Sequence, residues 1–314
     1  LNKYITGTDE AALAKALLIG YRVDLDKDLV QAYSNAGVIH LIVIAGLHLG
    51  LIYILLIWVI GKIPGIKKSK VISFILIFLC LWFFALLTGA SPPVMRAVVM
   101  FSFIAFGKLF YKKASVFNSL AASAFILLCF NPFILWDAGF QLSYFAVTGI
   151  VIAQRYIYNW LYIKNKILNE AWKIASVSLA AQVFTLPALL YYFHQMPLLF
   201  LVSNIIAIPL AMFTLYGCVL LVAISSVTPA VYLGKLLTGS IWLLNHAVLF
   251  INALPFSLWT GFSLSVTETV LLYGIFISFL YWLIKKNSFA LKFGICGALL
   301  FTIMITLNKF NFSK

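Results

Sequence analysis

Long apolar runs follow one another along almost the whole chain, and this pattern constrains the fold more than any single motif. A transmembrane helix needs about 20 consecutive, mostly apolar residues. Hydrophobic residues make up 64% of the 314 residues and charged residues only 10%, whereas a soluble domain has roughly 25% charged residues. The sequence therefore predicts an all-α, polytopic helical membrane protein with about ten transmembrane spans, some of them broken helices. The predicted spans are 38–61, 70–88, 93–111, 115–130, 132–153, 172–192, 197–225, 229–253, 267–285 and 288–308.

Basic residues outnumber acidic ones, 22 Lys and Arg against 8 Asp and Glu, which gives a formal net charge of +14. Such a surplus is typical of soluble nucleic-acid-binding folds or of the cytoplasmic loops of membrane proteins. The apolar composition favours the second interpretation. If the first span runs from outside to inside, basic residues gather in the inner loops at 62–70, 108–113, 155–173 and 285–292. The positive-inside rule then predicts that both ends of this chain face outside.

Residues 1–36 precede the first span and contain a helix signal, TDEAALAKALLIGYR. Thr8 is the expected N-cap, and Asp9 and Glu10 suit the positive end of the helix dipole. Because its leucines and alanines can cover one face, we expect an amphipathic helical segment on the outer surface at 1–36. A soluble linker helix is the alternative. The transmembrane domain is then 37–314, and the start at Leu1 indicates a segment of a longer protein.

The stretch TGASPPVMR places two prolines and Arg96 between two apolar runs. An arginine inside a bilayer is costly unless it snorkels, pairs with an anion or reaches water. By the helical rise of about 1.5 Å per residue, Arg96 and Asp137 lie near the outer face. Four uncharged polar side chains lie deeper, at similar depth in four different helices, which suggests a shared wet cavity. They are His48, Gln141, Gln182 and Asn204.

Structural roles compete with a substrate role for each of these residues. Arg96 can snorkel to outer headgroups or pair with Asp137 between helices. The amide side chains can form interhelical hydrogen bonds, and a histidine on an apolar helix is commonly a satisfied core residue. No one of them alone therefore indicates a pathway.

Helix-breaking residues occur beside the polar ones. Discontinuous helices at membrane depth are tolerated where they are buried in protein or line water, and in transporters they often form the substrate site. This coincidence favours a conduit lined by the six polar residues named above. The expected breaks are at Gly46, Gly50, Pro92, Pro93, Gly139, Pro187 and Pro209.

The spacing of reactive residues argues against a metal site or catalysis. His40 and His48 are about 12 Å apart along a helix, too far to chelate one ion. The sequence has no HxH, HExxH or CxxC spacing and no GxxxxGK[ST] nucleotide loop. The stretch LTGASP resembles the GxSG turn of intramembrane serine proteases, but Pro92 stands where the second glycine is needed. We expect no metal, no cofactor and no catalytic residue in this chain.

Four stretches of the sequence resemble, in order, the signatures of the ComEC competence-protein family. They are HLIVIAGLHLGLI (40–52), LTGASPPVMRAVVM (87–100), NPFILWDAGFQLSYFAVTGI (131–150) and AAQVFTLPALLYYFHQMPLLFLVSNIIAIPL (180–210). Several ordered motifs make the resemblance specific over the first two thirds of the chain, while the last third is only generically hydrophobic. One departure is Ala45, where the family usually has a serine. If that position faces the conduit, this chain lacks one polar lining group there.

The resemblance implies functional positions within these four blocks. They are Gly46, Leu47 and His48; Ser91, Pro92 and Arg96; Asp137, Gly139, Phe140, Gln141 and Ser143; and Gln182, Pro187, Asn204 and Pro209.

The family's transmembrane domain is the channel through which single-stranded DNA enters a bacterium during natural transformation. The resemblance therefore implies a multi-pass protein of the bacterial cytoplasmic (inner) membrane that conducts single-stranded DNA. The family's outer oligonucleotide-binding barrel and its metallo-β-lactamase-like, nuclease-like domain are absent from this segment. The resemblance also implies partners: the lipid bilayer, an extracellular DNA receptor and a cytoplasmic helicase-like motor. Oligomeric state is left open.

Two other classes of function stay open on the sequence alone. A secondary transporter or flippase for another anionic polymer or lipid can use the same arginine and broken helices. A structural membrane subunit can use the polar residues as interhelical hydrogen bonds only.

Overall fold

The structure is a computed structural model that describes residues 1, 3–110, 115–261 and 264–312. The loop lysines Lys112 and Lys113, and Lys314 at the carboxyl end, lie outside the described residues. The helices are α1 (Thr8–Ile19), α2 (Lys27–Asn35), α3 (Ile39–Ile42), α4 (Gly46–Lys62), α5 (Pro64–Lys68), α6 (Lys70–Leu87), α7 (Pro92–Leu109), α8 (Val116–Phe130), α9 (Ala138–Tyr158), α10 (Lys166–Phe193), α11 (Phe200–Ala223), α12 (Pro229–Ala253), α13 (Val266–Lys285) and α14 (Ser288–Phe312). A 3-10 turn at Pro132–Trp136 precedes α9, and two short strands, β1 (Gln195–Pro197) and β2 (Leu258–Thr260), form a two-stranded sheet.

Six helices within the described residues are long and apolar enough to cross a membrane: α6, α7, α10, α11, α12 and α13. Shorter apolar helices lie at Gly46–Lys62, Val116–Phe130 and Ser288–Met304. The all-α fold class and the membrane character predicted from the sequence are thereby confirmed. The count of about ten spans stays a prediction, because α4, α8, α9 and α14 are not among the six.

The chain forms two compact units. The first comprises Leu1–Ser143 and Pro197–Leu258, and the second comprises Tyr144–Met196 and Trp259–Lys314. Each unit is therefore built from two separate stretches of chain. Residues 1–36, expected as a segment of their own, belong to the first unit.

Helix α1 packs into the core of the first unit. Leu13 and Leu17 of α1 are fully buried, in one hydrophobic cluster with Leu221 of α11 and Leu237 of α12. This burial differs from the single apolar face expected from the sequence. Alanine and leucine occur around the whole helix, so protein can surround it. The outer-surface location of residues 1–36 stays a prediction.

A second cluster in the first unit joins α4, α6 and α7. Leu49 and Leu81 are fully buried against Val94, Ala97 and Val98 of α7. The small and β-branched side chains on α7 leave little space between these helices. This packing fixes the first turns of α7.

The second unit combines the carboxyl-terminal part of α9 with α10, α13 and α14. Gly149 of α9 lies so close to the carbonyl oxygen of Ala180 that a Cβ would overlap it. Tyr273 Oη of α13 donates to the carbonyl oxygen of Phe184 over 3.1 Å. Close helix approach through a small residue is typical of packing inside membranes.

The residues expected to break helices fall into two groups. Gly46, Pro92 and Pro93 stand at helix starts, and Gly139 lies in the first turn of α9. Gly50, Pro187 and Pro209, by contrast, lie inside α4, α10 and α11, which continue on both sides of them. A proline removes one N–H and one helical hydrogen bond, but the remaining bonds can carry a membrane helix past that position. A helical glycine costs only about 1 kcal/mol relative to alanine.

Candidate functional site

Arg96 lies buried where α4, α7 and α9 begin. Helix α7 starts with Pro92 and Pro93, whose fixed φ and missing N–H suit the first helical positions. Arg96 follows one turn later and is only 3% exposed. The two prolines thus place an arginine inside the protein, near the amino-terminal end of its helix.

Gly46 provides the space for the Arg96 guanidinium. It is the first residue of α4, after a break in the helical backbone between α3 and α4. A Cβ at Gly46 would lie 2.6 Å from Arg96 Nη2 and 3.8 Å from Ala97 Cβ. A methyl group in this position is too close, so the absence of a side chain allows the charged group to lie against the first turn of α4.

Ser143 of α9 is the acceptor for a second nitrogen of the guanidinium. Arg96 Nε donates a hydrogen bond to Ser143 Oγ. Arg96 Nη1 lies 4.0 Å from Met100 Sδ, one turn further along α7. The guanidinium is thereby connected to α4, α7 and α9.

The start of α9 packs against the start of α7. A Cβ at Gly139 would lie 3.6 Å from Pro93 Cγ. Asp137 Oδ1 accepts a hydrogen bond of 2.7 Å from the Phe140 backbone N–H and caps the helix. Gln141 Nε2 donates to the Leu135 carbonyl oxygen over 2.9 Å. Asp137 and Gln141 therefore both have roles in forming the start of α9.

The electrostatics of this arrangement suit an anion. Each helix N-terminus carries roughly half a positive charge on its unpaired backbone N–H groups. Two such ends, those of α4 and α7, lie beside one guanidinium, which carries a full positive charge, whereas the Asp137 carboxylate caps the end of α9. Phosphate and carboxylate groups are the usual ligands of such helix ends. We call this arrangement, formed by Gly46, Arg96, Ser143 and the first turns of α4, α7 and α9, the Arg96 cluster.

Two of the deeper polar residues are buried in the first unit with unsatisfied atoms. His48 in α4 and Asn204 in α11 are 2% and 5% exposed. Within the described part of the chain, His48 Nδ1 and Asn204 Oδ1 have no hydrogen-bond partner. Buried polar atoms are rarely left without one. His48 lies two residues after Gly46 in α4, and side chains two apart point to opposite faces of a helix.

Gln182 belongs to the second unit and is described with it. It lies in α10 and is half-buried. Its Nε2 is buried and has no hydrogen-bond partner among the residues that the structure describes. A common cavity for His48, Gln141, Gln182 and Asn204 stays a prediction.

Sequence reasoning missed Glu268, a carboxylate only 1% exposed at the start of α13. Ser265 Oγ donates to Glu268 Oε2 over 2.8 Å, and the Ser265 N–H donates to the same oxygen over 2.7 Å. The stretch SVTE before an apolar run is the usual signal of such a capping box. It identifies the helix start but gives no indication of the burial. In the described ranges, no three His, Cys, Asp or Glu side chains come together as a metal site requires.

Comparison with known proteins gives consistent matches. Residues 17–286 match the family described as Competence protein. ComE operon protein 3 of Bacillus subtilis is 33% identical over 219 residues, 70% of this chain and 26% of that protein. Competence protein ComA of Neisseria gonorrhoeae is 27% identical over 211 residues, 64% of this chain and 29% of that protein. Recombination protein 2 of Haemophilus influenzae is 25% identical over 232 residues, 70% of this chain and 29% of that protein.

The chain thus covers less than a third of the length of each of these three relatives. No solved structure matches it. The family match includes all four blocks that carry the resemblance, from residue 40 to residue 210. This chain therefore belongs to the competence-protein family.

Proposed function

We propose that this chain forms a conduit for single-stranded DNA across the bacterial cytoplasmic membrane during natural transformation. Membership of the competence-protein family supports a role in DNA uptake. The six apolar helices support a location in a membrane. The orientation with both ends outside rests on the positions of the basic loops.

The Arg96 cluster is the observation that carries this proposal. Single-stranded DNA has one negative charge per nucleotide, and proteins that conduct it without sequence preference attract its backbone with positive charge. A guanidinium beside the starts of α4 and α7 provides a fixed positive potential at the predicted outer mouth. Because Arg96 Nε is bonded to Ser143 Oγ, a phosphate that contacts this nitrogen replaces the serine as acceptor.

The other residues have supporting roles in this proposal. His48, Gln141 and Asn204 of the first unit provide neutral polar groups for this path, which hydrogen-bond to a moving strand without holding it by charge. Asp137 fixes the start of α9. We assign no catalytic step, metal or cofactor to this chain. The driving force then comes from partners: an external DNA receptor and a cytoplasmic helicase-like motor.

Replacement of Arg96 tests the proposal in competent cells that produce the full-length protein. We expect Arg96→Gln to lower uptake of labelled DNA by about tenfold or more, since a hydrogen bond to a charged group contributes roughly 1.5–3 kcal/mol. Arg96→Lys keeps the charge and is expected to retain part of the uptake. The control is Arg155→Gln, in the last turn of α9, with membrane abundance measured for every variant.

Two results contradict the proposal. One is wild-type DNA uptake by the Arg96→Gln variant at normal abundance. The other is transport of an anionic lipid by the purified protein in liposomes that pass no single-stranded DNA, which favours the flippase alternative.

A further inference from the structure

A groove in the first unit lies between α4, α6 and α7, at the end where α4 and α7 finish and α6 begins. Its volume is about 240 Å³, smaller than the roughly 300–1,000 Å³ that encloses a whole small-molecule ligand. The walls are apolar and include Ile57, Ile60, Phe74 and Ile77. A groove of this size and character suits part of an apolar chain whose remainder lies outside it.

Two lysines stand at this groove, Lys70 in the first turn of α6 and Lys108 in the last turn of α7. A lysine at a helix start is opposed by the helix dipole, and an anion there is favoured by both the dipole and the lysine. Lys108 Nζ lies 5.1 Å from the centre of the Tyr53 ring. Tyr53 is 6% exposed, and its hydroxyl has no hydrogen-bond partner among the described residues.

Neighbouring side chains indicate that this end lies at a membrane interface. Trp58 is 61% exposed on α4, and Lys62 Nζ lies 5.8 Å from the centre of its ring. Exposed tryptophan together with lysine at a helix end is typical of the boundary between hydrocarbon and headgroups. The groove therefore has its apolar wall toward the hydrocarbon and its lysines toward the headgroups.

From this combination we propose that the groove, formed by Ile57, Ile60, Lys70, Phe74, Ile77 and Lys108, binds an anionic phospholipid. One acyl chain lies against the isoleucines and Phe74, and the phosphate of the headgroup lies between Lys70 and Lys108. Basic pockets between transmembrane helices on the cytoplasmic side are known to bind anionic headgroups. The site is separate from the Arg96 cluster and does not depend on the proposed conduit.

The apolar wall favours a lipid over a passing DNA strand. Single-stranded DNA requires a polar path with stacking faces along its length, whereas most of this lining is apolar. A free phosphate uses the lysines but leaves the apolar wall without a ligand. A phospholipid satisfies both parts of the groove.

The test uses the full chain in nanodiscs that contain phosphatidylglycerol and phosphatidylcholine, with the retained lipids counted by native mass spectrometry. We expect wild type to retain phosphatidylglycerol preferentially, and Lys70→Gln with Lys108→Gln to lower that preference by about twenty-fivefold, since each lysine near an anionic surface contributes roughly fivefold. The matched control is Lys164→Gln with Lys166→Gln, two exposed lysines at the start of α10.

A second pair of variants tests the apolar wall without a change of charge. Gly61 lines the groove, and a Cβ added there meets no atom within 4 Å beyond its own stretch of helix, so we expect Gly61→Leu to be tolerated and to occupy part of the space. Gly239→Leu, in α12, is equally unobstructed and is the control. We expect only Gly61→Leu to lower phosphatidylglycerol retention.

Any of three results overturns the lipid site. The first is that wild type shows no preference for phosphatidylglycerol. The second is that the two lysine double variants lower the preference equally, and the third is that Gly61→Leu leaves it unchanged. A loss of oligonucleotide binding in the Lys70→Gln, Lys108→Gln protein with unchanged lipid retention assigns the groove to DNA and also overturns it.

Discussion

Gly46 lets the Arg96 guanidinium lie against the first turn of α4 because no Cβ stands in between. The sequence motifs identified Arg96 as a costly residue near the end of a span. They did not identify its acceptor, because Ser143 is 47 residues away and belongs to another helix. Depth along a helix can be estimated from the sequence, but a contact between helices depends on packing that has no local signal.

Gly46→Ala tests this close approach at the scale of a single residue. The methyl group would lie 2.6 Å from Arg96 Nη2, so the guanidinium must move. Arg96 Nη2 is the end of a flexible side chain, and alanine favours a helix over glycine by about 1 kcal/mol. We therefore expect near-normal stability but DNA uptake lowered by about tenfold, the cost of a disturbed charged hydrogen bond.

Gly50→Ala is the matched control for that experiment. It lies one turn further along α4, and its Cβ would be at an ordinary 3.4 Å from the nearest atom of Phe101. Equal uptake by the two alanine variants contradicts a role for the close approach at Gly46. Thermal unfolding and membrane abundance, measured for both, separate lost function from lost folding.

At the scale of elements, the length of the apolar runs predicted where helices occur. Helix-breaking residues predicted only some of the places where a helix begins. Each predicted span overlaps a helix, since a bilayer requires helical backbone wherever the chain is apolar for long enough. Pro92 and Pro93 begin a helix, whereas Pro187 lies inside one. The same residue type allows both outcomes, and the hydrogen bonds available on either side decide between them.

The buried helix α1 gives a prediction at this scale. Leu13 of α1 is fully buried in a cluster with residues of α11 and α12. Replacement of a buried leucine by alanine typically lowers the free energy of unfolding by about 2–5 kcal/mol. We expect Leu13→Ala to lower the free energy of unfolding in detergent by about that amount. Ile19→Ala, at a position 42% exposed on the same helix, is expected to change it by less than about 1 kcal/mol. Similar small effects in both variants contradict the burial of α1.

At the scale of the whole molecule, the chain forms two units from alternating stretches. No local pattern in the sequence joins Tyr144–Met196 with Trp259–Lys314, because both stretches are apolar in the same way as their neighbours. The orientation of the chain in the membrane, unlike this division into units, depends on the charge of each loop. It can therefore be predicted without knowledge of the packing.

Cysteine labelling of the full-length protein tests that orientation. Val23 and Tyr162 are 80% and 90% exposed, in segments predicted to face outside and inside. With Cys80, Cys129 and Cys296 replaced, buried Cys218 is the internal control that should stay unlabelled. We expect a membrane-impermeant maleimide to label Val23→Cys in intact spheroplasts and Tyr162→Cys only after permeabilisation. The opposite pattern would place the Arg96 cluster on the cytoplasmic side, where it cannot receive DNA that arrives from outside.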